Sequence, residues 1–168
     1  MCVDPNGWSL VGPISHLAHA ASVGNLEVCK LLLDHGAHPH GCGGLWEAAS
    51  AGNIAIAELL IDRGVDVNET ISPKIQENLR PFKAHGRLEQ LERFMKESQQ
   101  GTPLHAAAFH DKADMIEFLL SRGANKDVQN DEGETASDIV DFMGCGPPEP
   151  EDIQMPLERR YEILDILK

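Results

Sequence analysis

Histidine is the side chain best placed to do chemistry here, and the sequence carries eight of them. The tightest group is His38, His40 and Cys42, an H-x-H-x-C run. On an extended strand these alternate residues share one face, and neutral imidazole with thiolate is a zinc-binding chemistry. A closed site needs a fourth ligand and the run supplies three, so His38, His40 and Cys42 are weak metal candidates. His16 and His19 form a second group, to be set beside Trp46 and Glu47 further along, and Phe109 with His110 forms a third. A His–Glu pair meeting in a cleft could perform general acid–base work. No G-x-S-x-G elbow, P-loop or dinucleotide fingerprint accompanies them. The residues therefore weigh against an enzyme, and no catalytic residue, metal or cofactor is assigned.

The composition narrows the classes further. Twenty-seven acidic against fourteen basic residues give a formal charge of −13, a field that repels nucleic acid and anionic membrane surfaces. No apolar run is long enough to span a bilayer, and "MCVDPNGWSL" lacks a basic region followed by an apolar one. The four cysteines follow no redox or metal spacing, which suits free thiols in a reducing compartment, cytoplasmic or nuclear. Only 5% of residues are aromatic. Alanine, leucine and isoleucine must therefore supply the core, as suits closely packed helices.

The elements that position these groups come from a repeat. The stretch "GTPLHAAAFHDKADMIEFLLSRGANKD" (101–127) opens on Thr102, Pro103, Leu104 and His105, continues through Ala107 and Ala108, and closes with Leu119, Leu120 and Gly123. Pro103 suits the first turn of a helix, and Gly123 suits a left-handed helix end. Two copies lie upstream. One keeps Ala20, Ala21, Gly24, Leu31 to Leu33 and Gly36; the other keeps Leu45, Ala48, Ala49, Gly52, Leu59, Leu60 and Gly64. This pattern resembles the ankyrin repeat, whose unit is a turn and two helices beginning Thr-Pro-Leu-His.

The resemblance implies an all-α ankyrin-repeat solenoid of about five helix–turn–helix units, joined by short β-hairpins or turns, in a single domain over 1–168. Residues 7–40 form repeat 1 and 41–68 repeat 2. Residues 69–100 are a degenerate repeat or an insertion, 101–130 are repeat 4, and 131–168 are a partial repeat with a capping helix. The glycines Gly24 and Gly52 are five residues closer than the family's spacing, so the first hairpin is expected to be short. In 69–100, "GRLEQLERFMKES" aligns with the second helix of repeat 1, while Pro81 breaks the first helix. A short helix over 71–80 fits Ser72 and Pro73. At the C-terminus, Pro147, Pro148 and Pro150 make a stiff loop before an amphipathic helix with Leu157, Tyr161, Leu164 and Ile166 or Leu167 inward.

In the resembling family the outward faces of the first helices and the hairpin tips form a binding groove. Carried over position by position, those places are Trp8, His19, Ser22, Val23, His38, His40, Trp46, Glu47, Ser50, Phe109 and His110, with Phe82 and His85 in the irregular third unit. Trp46 occupies the family's histidine position, which divides it between groove and packing. Trp8 reads more readily as a cover for the N-terminal end of the core. His105 is expected to hydrogen-bond backbone between repeats. Leu60, Asp66, Val67 and Asn68 match the pattern of asparaginyl hydroxylation found in the family, making Asn68 a weak modification candidate. The functional expectation is a non-catalytic protein–protein interaction module whose partner is basic or apolar. The alternative is a small-molecule site or enzyme pocket at disrupted stacking around residues 80–86, lined by Phe82, His85, Trp46 and Phe109. The sequence leaves the oligomeric state open.

Overall fold

The computed structural model describes residues 15–70, 101–142 and 157–168. Eight helices lie in these segments. They are α1 (His16–Val23), α2 (Leu26–Asp34), α3 (Gly44–Ala51), α4 (Ile54–Asp62), α5 (Pro103–Phe109), α6 (Ala113–Ser121), α7 (Ala136–Phe142) and α8 (Leu157–Leu167). Trp8, Phe82, His85, the helices expected within 71–98 and the proline-rich loop fall outside the described residues.

Local chemistry sets the boundaries. The Ser15 hydroxyl accepts the Ala18 N–H at 3.0 Å and starts α1. The Asn25 side chain accepts from Val28 N at 3.1 Å and starts α2. Between the two helices Gly24 turns left-handed at φ 81°, and Gly52 repeats this at φ 77° between α3 and α4. The third pair has Asp111 in that place at φ 55°, a conformation Asp tolerates better than most non-glycine residues. The Asp111 carboxylate in turn meets Arg159 Nε at 3.4 Å, on α8.

The helices stack as four pairs. α1, α3, α5 and α7 pack helix against helix along the array, whereas α2 touches α4 more sparsely. The first helices can approach because their facing positions are alanine: Ala21, Ala48, Ala49, Ala107 and Ala108 are all fully closed to solvent. Larger side chains on the second helices, such as Leu33, Ile56, Leu60, Met115, Ile116 and Leu119, complete one continuous core. The first connection runs only from residue 35 to 43, against 122 to 135 between α6 and α7, so the first tip is short as the spacing predicts.

The junction across residues 71–100 is where structure adds most. α5 packs directly on α3, in the same manner as α3 on α1. The inter-unit contacts repeat as well. Asn53 Nδ2 donates to Ala21 O at 2.8 Å and its side chain covers Gly24. Lys112, the matching residue one pair later, covers Gly52 in the same way. Arg63 pairs with Asp34 at 3.2 Å, and Arg122 with Asp62 at 3.3 Å and Glu58 at 2.5 Å. The Asn125 N–H donates to Asn68 Oδ1 at 2.8 Å. No layer separates these two pairs among the described residues.

The C-terminal pair departs from expectation in one helix face. α8 packs on α7 and α6 and so completes the last unit. Its inward stripe is Ile163 and Leu167, with Arg160 donating to the Asp141 carboxylate and carbonyl at 3.0 Å. Tyr161, expected inward, is 63% exposed. Residues 163 and 167 lie one turn apart on a stripe that points residue 161 nearly opposite.

Candidate functional site

Of the residues expected at the groove, His19, Ser22, Val23, Trp46, Glu47, Ser50 and Phe109 lie on α1, α3 and α5 and His110 caps α5, whereas His38 and His40 lie at the first tip. Aligned on Gly24, Gly52 and Asp111, Ser22, Ser50 and Phe109 share one register position, and Val23, Ala51 and His110 the next. Val23 is 69% exposed at the end of α1. The Ser22 and Ser50 hydroxyls donate back to the His19 and Glu47 carbonyls at 2.9 and 3.1 Å, so both are spent within their own helices. Phe109 and His110 meet edge to face, with ring centroids 5.1 Å apart. Desolvation and the nearby Lys112 hold the His110 imidazole below its usual range. Glu47 is half-buried, and desolvation pushes its carboxyl up to about 7. No hydrogen bond or ion pair reaches that carboxylate among the described residues.

Trp46 resolves toward packing. Its side chain is 8% exposed, and its ring stands edge-on to His110 at 6.5 Å. The indole N–H is buried without a partner among the described residues. His16 is half-buried with Nδ1 likewise unpartnered.

The first tip does not assemble a metal site. His38 and His40 are exposed, and the half-buried Cys42 is occupied by its own turn. Its thiol donates to Pro39 O at 3.1 Å and its sulfur accepts Gly44 N at 3.3 Å. No three potential ligands converge among the described residues. The tip turns between residues 35 and 43, where an extended strand would have aligned the alternate side chains of the weak candidates His38, His40 and Cys42. Burial raises the Cys42 thiol and lifts Cys29 to about 11, disfavouring the thiolate that binds metal or attacks.

The pocket expected around residues 80–86 falls, with Phe82 and His85, outside the described residues. Its described members, Trp46 and Phe109, lie on α3 and α5, which pack against each other. A recess bounded by Pro39, Gly43, Trp46, Glu69 and Thr70 has a volume near 10 Å³, about the room one water needs. Glu69 there accepts the Gly41 N–H and ties the two tips.

His105 and Asn68 hold units together. His105 Nδ1 accepts from Thr102 N at 3.1 Å and lies 2.8 Å from its hydroxyl, while Nε2 lies 3.1 Å from Glu134 O. These bonds fix the neutral tautomer with the proton on Nε2, which donates to that carbonyl. Asn68 Oδ1 accepts from Asn125, and its N–H donates to Asp66 Oδ1 at 2.9 Å.

Comparison with known proteins agrees with this architecture. The family model described as "Ankyrin repeats (3 copies)" matches residues 5–71, and "Ankyrin repeat" matches residues 100–131. Together these spans exceed half of the chain. The chain belongs to the ankyrin repeat family. Ankyrin repeats generally mediate protein–protein interaction. Two similar curated proteins are protein phosphatase 1 regulatory subunit 27 of Homo sapiens and of Mus musculus. Each is 42% identical over 40 residues, covering 24% of this chain and 26% of the relative. The chain thus spans about a quarter of the length of the curated relatives it matches. Sequence reasoning overlooked Arg63 and Arg122. The two arginines stand one residue before the glycines Gly64 and Gly123, a recurrence that marks them as a repeated inter-unit feature of these ankyrin units. No helix among the described residues is long and apolar enough to cross a membrane.

Proposed function

We propose that this ankyrin array is a non-catalytic binding module that receives a segment of a partner protein in the groove along α1, α3 and α5. The observation that carries the reading is the continuity of that face. The first helices meet without a break across residues 71–100, so His19, Ser22, Val23, Glu47, Ser50, Phe109 and His110 border one surface. Exposed apolar Val23 and the Phe109–His110 pair offer apolar contact, the kind of anchor that dominates interface energetics. The charge of −13 favours a basic partner segment over an acidic one. The name of the human and mouse relatives, a regulatory subunit of a phosphatase, supports action through another protein. Selectivity is assigned to this groove together with residues 71–100, whose sequence departs from the repeat pattern, because variable segments on rigid scaffolds commonly carry specific contacts.

The test is site-directed photo-cross-linking in cells. A photoreactive phenylalanine at Ser50 or Phe109 is expected to capture one and the same protein. The same group at Glu117, exposed on α6, is expected to capture none of it. Capture from Glu117 alone would place the binding face on the second helices and overturn the groove.

A further inference from the structure

Resting on the groove reading, we propose that Glu47 is the receptor for a lysine or arginine side chain of the bound segment, with the Phe109–His110 pair bordering the stem of that side chain. Glu47 lies on the middle helix of the groove, with His19 in the equivalent place on α1. Phe109 and His110 stand one turn further along on α5, which packs against α3. The carboxylate is half-buried yet receives no hydrogen bond or ion pair among the described residues. Other acids at the contacts between helices have partners: Asp34, Glu58, Asp62 and Asp111 meet an arginine of a neighbouring unit, Asp141 meets Arg160 within the last pair, and Glu69 accepts the Gly41 N–H.

Physical chemistry makes that exception informative. Desolvating a carboxylate without a partner destabilises the fold. The cost is offset only when a cation arrives, and a charge-assisted hydrogen bond then forms where water is already partly excluded. Arginine and lysine stems also pack on aromatic rings, so an edge-to-face pair at the end of the helix packed against that of the carboxylate suits both parts of such a side chain. A neutral or acidic partner residue would leave Glu47 buried and unsatisfied.

The pH dependence follows from the groups around it. Titratable and charged side chains on the elements packed against α3 are His16 and His19 from α1, Glu58 and Asp62 from α4, and His105 and His110 from α5, with Asp111 and Lys112 beyond it. The upward displacement of the Glu47 carboxyl comes from desolvation. A cation binds the ionised form, so affinity falls as pH drops through about 7. Between pH 8 and pH 6 the competent fraction falls about tenfold, and affinity with it. Protonation of His110 at low pH repels a cation in the same direction. The pH dependence that survives in Glu47→Gln is not that of the Glu47 carboxyl.

The experiment selects phage-displayed random twelve-residue peptides on the purified chain at pH 8. Synthetic copies are then measured by fluorescence anisotropy against wild type, Glu47→Gln, Ser50→Trp and Glu117→Gln. The expected result is enrichment of one fixed lysine or arginine and at least tenfold weaker binding to Glu47→Gln. Binding to Glu117→Gln should be unchanged, whereas non-specific attraction to the net charge would survive the loss of either carboxylate equally. Glu47→Gln should melt no lower than wild type at pH 8, which separates lost binding from lost folding. Peptides that need an unblocked Ser50 but carry no basic residue, or bind Glu47→Gln as tightly, overturn the role of Glu47 and leave the groove standing. Peptides indifferent to Ser50→Trp, or no enrichment at all, overturn the groove reading itself.

Discussion

Trp46 and His105 occupy one register position in neighbouring units, and they close their junctions in opposite ways. His105 is 2% exposed and fully bonded: it accepts from Thr102 and donates to Glu134 O, latching α5 to the connection that leads into α7. Trp46 is almost as buried but makes no polar latch, and its N–H is left unpaired. Its junction, between α3 and α5, relies on the alanine faces, on the Asn68–Asn125 bond and on the Arg122 fork. The spacing of the helices is nonetheless the same in kind at both places. Shape sets the stack, and hydrogen bonds decide how firmly each junction is pinned within it.

The strongest way to break that comparison is His105→Ala. The substitution removes two bonds, leaves Thr102 N buried without its partner, leaves Glu134 O with the Asn130 N–H alone, and opens a cavity between α5 and the following turn. The orphaned N–H costs about 1–3 kcal/mol and the cavity adds to it, so a loss of about 3 kcal/mol is expected from urea unfolding. A loss below about 1 kcal/mol would show that the latch is as dispensable here as at Trp46. The same residue gives a pH signature. Burial lowers the His105 pKa, so folding favours the neutral ring. The stability it contributes is present above the ordinary histidine value of about 6.5 and is lost as pH falls through that value toward the lowered folded one. His105→Gln should flatten that part of the stability profile between pH 7 and pH 5, and an unchanged slope would assign it to other histidines.

Most of this architecture was legible in the sequence because ankyrin units encode their packing locally. The alanine pairs, the inter-helix glycines and Pro103 each fix a geometry through a few neighbouring atoms, and all appear where the pattern puts them. Three features were not legible for physical reasons. The inward face of α8 depends on helix rotation, and an amphipathic run with Tyr161, Leu164 and Ile166 admits more than one. The H-x-H-x-C run suggests a metal only if the chain is extended, and the first tip turns instead. Trp46 could have faced the groove by type alone, and the position of α5 decides that it packs.

The direct contact of α3 with α5 predicts the behaviour of a deletion. Joining Thr70 to Gly101 leaves a connection one residue longer than the first tip, which already spans the same pair of positions. Removing residues 71–100 should therefore preserve the stack. A shorter connection carries a smaller entropic cost of closure, a gain of about 1 kcal/mol. Circular dichroism and urea unfolding would read it. A deletion variant that unfolds, or loses several kcal/mol, would mean that residues 71–100 contribute a structural layer after all, as the degenerate-repeat reading of the sequence supposes.

The smallest effect belongs to the periphery. Arg122 reaches Glu58 and Asp62 on α4, and its guanidinium also lies 5.2 Å from the Phe118 ring centre. The side chain is 31% exposed and its acidic partners more so, which leaves the pairs largely in solvent. Exposed pairs of this kind contribute about 0.2–1 kcal/mol and weaken as salt rises. Arg122→Ala should thus cost less than about 1 kcal/mol in low salt and close to nothing in half-molar salt. Arg63→Ala, which breaks the matching pair with Asp34 one unit earlier, should cost about the same. Equal small losses would confirm that both junctions rest on their alanine faces. A loss of several kcal/mol confined to Arg122 would instead mean that the junction without a histidine latch depends on its ionic fork. Such a result would reverse the lesson drawn from Trp46.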